Sequence, residues 1–336
     1  MKLLAPTNPK ELADRERWFK TTEAKQLARE KGVEFGIEMK GPLENIRQKP
    51  AIYWGLHLPE MLATEWYYNV ERRQDFWRQI KRVAKFRPDY AVLHGIHLLW
   101  HPPAKEYIHR YVDTSSSGEY FKILKANIKL INELKAYFTL KIENFPLQFY
   151  YMADKEFLPY TYLATGIGRL DDLLYLKEKT GVGIMFDIEH MQILLNFLNR
   201  QGNYHDLPLK RIEELTDDEK ELKTIFGFYL KKGYIPYLDP KVPLEDTLKK
   251  LKAKFYHLTG STQDVISGKE ITTHKPIKES DKTFRKNLRM VLAQKPEVLV
   301  LETASSGYGV SAWNHLRPNE TEISFGNLCQ ILLEEL

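Results

Sequence analysis

Cysteine is almost missing from this chain. Cys329 stands alone among 336 residues, which excludes an intramolecular disulfide and points to a reducing compartment. No stretch approaches the roughly 18 uninterrupted apolar residues of a membrane-spanning helix. The apolar run in MKLLAPTNPKEL is too short for a secretory leader, so a cytoplasmic protein without a membrane partner is expected. Neither GxGxxG nor GxxxxGK[ST] occurs, so the phosphate-cradling loops of open doubly wound sheets are lacking. Low-complexity tracts and short internal repeats are absent as well. Charge of one sign does not dominate: a net +5 spread over 28% charged residues does not by itself mark a nucleic-acid binder.

What remains is a pattern of alternation. Hydrophobic residues make up 43% of the chain, enough for a large core. Apolar runs of strand length recur as VEFGIEM (33–39), AIYWGLH (51–57), YAVLHG (90–95), FTLKIEN (138–144), VGIMFDI (182–188), KFYHLTG (254–260) and VLVLETA (298–304), with an eighth in MKLLAPTN. Between them lie stretches with apolar residues at three- and four-residue spacing, such as NVERRQDFWRQIKRVAKF, YFKILKANIKLINELKAY, RLDDLLYLKEKTG and LEDTLKKLKA, with Gly181 as a helix stop. Eight strand–helix units over this length predict one α/β domain, 1–336, folded as a (β/α)8 TIM barrel. The connection 191–253, between the strands ending at Asp187 and His257, is too long for a simple crossover. It predicts a helical insertion, read first as plainly packed and otherwise as shaping a pocket or an oligomer contact such as a homodimer.

The strand ends carry the chemistry. His57, His94, Glu143, Asp187, His257 and Glu302 each lie at or near the carboxyl end of a predicted strand. In a parallel barrel those ends converge on one face, where active sites are built. His190 follows Asp187 by three positions, and His274 follows the strand of His257 on a loop. Singly, each has a bland reading as a hydrogen-bonded structural histidine or a helix-capping carboxylate. Together, eight such groups would be desolvated or mutually repelled without cations among them, and mixed His/carboxylate shells suit Zn, Mn or Fe. His97 or His101 could support a ligand from behind, whereas His109, His205 and His315 have no spacing that argues for chemistry.

The ordered set resembles the xylose-isomerase-like barrel superfamily, and within it the endonuclease IV type. It runs His57, His94, Glu143 in KIEN, Asp187 and His190 in FDIEH, His257 in YHLTGS, His274 in TTHKP and Glu302 in VLET. The resemblance spans residues 51–304. It implies a di- or trinuclear centre of divalent ions, with His57, His94 and Glu143 on one. Glu143 would bridge to a second held by Asp187, His257 and Glu302, and His190 and His274 would hold a third. Where that family has Asp-x-His, this chain has Thr272-Thr273-His274, which weakens the third position, and Asp264 or Glu270 is a substitute. The DNA-reading loops of that endonuclease are not recognisable. KIENFPLQFYY, GVGIMFDIEH and YHLTGSTQD are similarly close to barrels that hold several iron ions and oxidise peptide cysteines.

The resemblance implies a metal-dependent hydrolase of phosphoesters, with Glu143, Asp187 and Glu302 as catalytic residues and Mn or Zn as the ions. A small phosphate ester or a nucleic-acid phosphodiester would be the substrate. Two alternatives stand beside it: a sugar isomerase or epimerase using one ion on Glu143, Asp187, His257 and Glu302, and a multinuclear iron oxidative enzyme. A barrel that binds metal without turnover is a fourth reading. The basic clusters NVERRQDFWRQIKRVAKFR and LKKLKAKF read first as solvated helix faces, and Lys275 as a surface lysine.

Overall fold

The computed structural model describes residues 1–59, 61–100, 119–144, 148–152, 160–165, 170–191, 244–260, 276–303 and 320–336. The strands in chain order are β1 Lys2–Thr7, β2 Glu34–Met39, β3 Tyr53–His57, β4 Met61–Leu62, β5 Tyr90–Leu93, β6 Ile96–Trp100, β7 Leu140–Glu143, β8 Gln148–Met152, β9 Tyr160–Thr165, β10 Gly183–Asp187, β11 Phe255–Leu258 and β12 Val298–Leu301. Eight of them close into a parallel barrel in the order β1-β12-β11-β10-β7-β5-β3-β2. This is the TIM barrel expected from the eight apolar runs, and each run holds one barrel strand. Strands β5, β11 and β12 are buried along their whole length, as parallel strands covered on both faces must be.

The helices are α1 Leu12–Trp18, α2 Thr22–Lys31, α3 Ala63–Tyr68, α4 Val70–Ala84, α5 Glu119–Leu134, α6 Leu170–Thr180, α7 Leu244–Leu251, α8 Lys282–Leu292 and α9 Glu320–Glu335. Their ends follow local chemistry. Thr21, Asn69 and Asp281 accept from the backbone N–H three residues on, capping α2, α4 and α8. Gly181 closes α6 at φ +66°, its N–H bonding Lys177 O at 2.8 Å. Around the ring, α9 packs on α1 and α2, α5 on α6, α6 on α7, and α7 on α8.

Pleating divides the core. Leu3, Ile37, Trp54, Leu56, Ile142, Ile184, Phe186, Tyr256, Leu299 and Leu301 face outward to the helices. Leu4, Tyr90, Val92, Met185, Phe255, Val298 and Val300 form a separate cluster that fills the barrel. Gly55 leaves room for that filling: a Cβ there would collide with the Tyr90 ring.

The side sheet β4-β6-β9-β8 was not expected. Its strands β4, β6 and β8 leave from the carboxyl ends of β3, β5 and β7, the end at which the candidate residues lie. Strands β6 and β9 pair antiparallel through Leu98↔Thr165 and Trp100↔Leu163, a pairing across some sixty residues that local pattern does not announce. The insertion 191–253 is described only at its ends, Met191 and 244–253, so its body lies outside the described residues. So do 224–241, Thr272, His274 and Lys275. Among the described residues no helix is long and apolar enough to cross a membrane.

Candidate metal centre

The interior positions of a strand recur every second residue. On β5 they run Tyr90, Val92 and then His94 just past the strand; on β10, Met185 and Asp187; on β11, Phe255 and His257; on β12, Val298, Val300 and then Glu302. On β3 and β7 the same parity reaches His57 and Glu143 at the last strand residue. The candidate residues therefore form the top layer of the barrel interior, directly above its apolar filling. Register brings neighbours side by side, Asp187 opposite His257 on adjacent strands.

Glu143 sits at the middle and is fully buried. His57 Nε2 lies 3.2 Å and His94 Nε2 2.9 Å from its Oε2. His257 Nδ1 bonds its Oε1 at 2.8 Å and also stands 2.7 Å from Glu302 Oε2 and 4.0 Å from Asp187 Oδ2. His190 Nδ1 is 3.5 Å from Glu143 Oε1, while its Nε2 is 3.7 Å from Asp187 Oδ2. Two groups result, each with donor atoms within 4.8 Å of one another: His57, His94 and Glu143, and Glu143, Asp187, His257 and Glu302. Of the eight candidates the structure brings seven together; His274 lies outside the described residues.

The loop after β10 is built around Asp187. Asn144 grips its backbone from β7, accepting from Asp187 N at 2.7 Å and donating to Asp187 O at 2.8 Å. Asp187 Oδ1 accepts from His190 N at 2.9 Å, the helix-capping role that the bland reading allowed. Its Oδ2 is left inward. That atom and Glu302 Oε2 are buried with no aligned hydrogen bond among the described residues, an unusual state for a carboxylate oxygen.

Two residues of the centre were not singled out in the sequence. Glu38 and Lys40, at successive interior positions at the end of β2, are buried. Glu38 Oε1 lies 2.9 Å from His257 Nε2, and its Oε2 accepts from Tyr90 Oη at 2.8 Å. Lys40 Nζ pairs with Glu302 Oε1 and lies 3.5 Å from Glu38 Oε1. The signal that could have found Glu38 is the one that found the others, a carboxylate at the end of a barrel strand; Lys40 carries no such signal.

The protonation states follow from crowding. Burial would raise the Glu143 and Glu302 carboxyls, yet His257 with His94, and His257 with Lys40, hold them well below the usual range. Burial would neutralise His257, but Glu143, Glu302 and Glu38 push it well above an ordinary imidazole. Asp187 is driven far up by burial and then by Glu302, Glu143 and Glu189. Burial lowers His190 to about 4, so it is neutral at pH 7. Four carboxylates in this network, Glu38, Glu143, Asp187 and Glu302, thus face one lysine among the described residues, with protons on His257 and Asp187 as the remaining compensation.

The donor set fits divalent cations. It offers imidazole nitrogens and carboxylate oxygens in two groups sharing Glu143, an excess of buried negative charge, and, among the described residues, two inward oxygens with no aligned hydrogen bond. The layer lies at the carboxyl end of a closed eight-stranded parallel barrel, the TIM-barrel face at which active sites are built.

The sequence matches no protein-family model and no curated protein. Among solved structures it is similar to the TTHB071 protein from Thermus thermophilus, soaked with ZnCl2, at 15% identity and a TM-score of 0.44 over 100% of this chain and 99% of that one. A xylose isomerase domain protein from Alicyclobacillus acidocaldarius subsp. acidocaldarius gives 12%, 0.43, 99% and 99%. SacUVDE gives 14%, 0.42, 85% and 68%.

Proposed function

We propose that the chain is a divalent-metal-dependent phosphoesterase with a di- or trinuclear centre. The observation that supports this most is the charge of the network: four buried carboxylates and, among the described residues, a single lysine beside four imidazoles. Two divalent ions would offset that excess of negative charge, so that an anionic ester could approach. His57, His94 and Glu143 would hold one ion, and Glu143, Asp187, His257 and Glu302 another. His190, neutral at pH 7, would serve a third together with His274. Bound divalent ions supply activation of water and neutralisation of charge on a phosphoryl group. The chain's own part is to aim its donors: Glu143 presents one oxygen to each group, and Asn144 holds Asp187 in place. The apolar filling below, with Val92, Met185 and Val300, keeps water out from beneath.

A small phosphate ester or a nucleic-acid phosphodiester belongs to this reading, as does a reducing, cytoplasmic setting in which the buried Cys329 stays a thiol. The basic face of α4 gives nucleic acid little support. Arg72 and Arg78 pair with Asp75, Arg73 donates to Trp66 O, and Arg82 donates to the carbonyls of Leu43, Glu44 and Ile46. Chelator-stripped protein should lose hydrolysis of nitrophenyl phosphate mono- and diesters and regain it with Mn or Zn, and Glu143→Ala should abolish it. Full activity in Glu143→Ala would overturn the assignment.

One feature favours the isomerase reading: the Glu143, Asp187, His257 and Glu302 group is wholly buried and complete without the partly exposed His57. One ion per chain, with turnover of a sugar and none of a phosphoester, would select it.

A further inference from the structure

The two ligand groups are not equally supported. Behind His257 stands Glu38, receiving the ring at Nε2 while Nδ1 faces Glu143 and Glu302. Glu38 is itself fixed from below by Tyr90, whose ring fits only because position 55 is glycine. Behind Glu302 stands Lys40, which takes Oε1 and leaves Oε2 facing inward. All of these side chains are at most a few per cent exposed. In the other group the His57 side chain is 13% exposed, and its Nδ1 meets its neighbour's carbonyl, Leu58 O, at 3.2 Å. A carboxylate behind an imidazole fixes its tautomer and orientation and makes it a stronger ligand. An ammonium on one carboxylate oxygen commits the other.

We propose that Glu38 and Lys40 are positioning residues that preassemble the Glu143–Asp187–His257–Glu302 group, so that it takes its divalent ion first and more tightly, before the His57–His94–Glu143 group fills. This rests on the reading of the cluster as a metal centre, but not on the substrate.

The test is calorimetric titration of the full-length, chelator-stripped protein with Zn and with Mn, alongside elemental analysis after desalting. Wild type should show two resolved classes of site. Lys40→Met and Glu38→Gln should weaken the tighter class about 10- to 100-fold, the usual cost of losing such a supporting partner, and leave the weaker class unchanged. Lys40→Arg should restore most of the tight binding, which a general loss of packing would not do. Tyr90→Phe, which keeps the ring and removes only the donor to Glu38, should weaken the same class more mildly. It carries the test if Glu38→Gln does not fold. Equal weakening of both classes, or unchanged tight binding in Lys40→Met, overturns the inference. Absence of any binding to wild type instead overturns the metal centre itself.

Discussion

Loading the centre with metal should release protons, in a number that depends on pH in a defined way. Without metal, His257 is held well above an ordinary imidazole by Glu143, Glu302 and Glu38 despite its burial, so it carries a proton at pH 7. An ion bound at Nδ1 must displace that proton, while the one at Nε2 stays with Glu38. Asp187, raised by burial and the neighbouring carboxylates, gives up a second wherever it is still protonated, which is increasingly the case toward acid. Binding should therefore release about one proton from His257 at pH 7, and a second from Asp187 wherever that carboxyl is protonated, so the number rises toward about two as the pH falls. The metal-bound state holds fewer protons, so affinity falls with pH. The fall is about tenfold per unit (about 1.4 kcal/mol) where one proton leaves and about a hundredfold where two leave. Calorimetry in two buffers of different ionisation enthalpy counts these protons directly. Asp187→Asn should remove the rise on the acid side and keep the proton from His257. Release of less than about half a proton at pH 7 would mean that His257 is not the displaced group, and the assignment of Nδ1 as a donor would fail.

Two further outcomes follow. Asn144→Ala strips both partners from the buried backbone of Asp187 and should cost about 2–4 kcal/mol in denaturant unfolding, with weaker metal binding; a loss under about 0.5 kcal/mol would show the clamp to be dispensable. His190 is neutral in the folded chain, its pKa lowered from 6.5 to about 4 by burial. The unfolded chain binds more protons between those values, so this contribution to stability is present above pH 6.5 and is lost as the pH falls toward 4. The loss amounts to roughly 3 kcal/mol. The chelated His190→Gln variant should lack that part of the acid destabilisation, and curves that fall in parallel would refute it.

The barrel was legible because parallel strands covered on both faces leave unbroken apolar runs, and all eight runs hold one. The seven described candidates were legible because each lies at or just past the end of such a run. The side sheet was not, since β6 meets β9 only through contacts distant in sequence. Glu38 and Lys40 escaped for a different reason. In EFGIEMK, Glu34, Gly36 and Glu38 share one face of β2, and a face with acids at both ends and glycine between them reads as solvated. Glu34 is indeed exposed, whereas Glu38 is fully buried. Strand tilt carries one face of a barrel strand from the open rim into the closed interior within a few residues.

Parity explains why that burial has consequences. Val92 and His94, Met185 and Asp187, Phe255 and His257, and Val300 and Glu302 are each two residues apart, an apolar side chain inside the barrel followed by a donor at its mouth. Strand β2 departs from this by offering charge at two successive interior levels, Glu38 and then Lys40, so its carboxylate can stand behind His257 as well as beside it. That placement requires a partner from the level below. Tyr90 supplies it from the foot of β5, across the space that Gly55 leaves open. A glycine with no chemistry of its own is thus part of what orients the His257 ring.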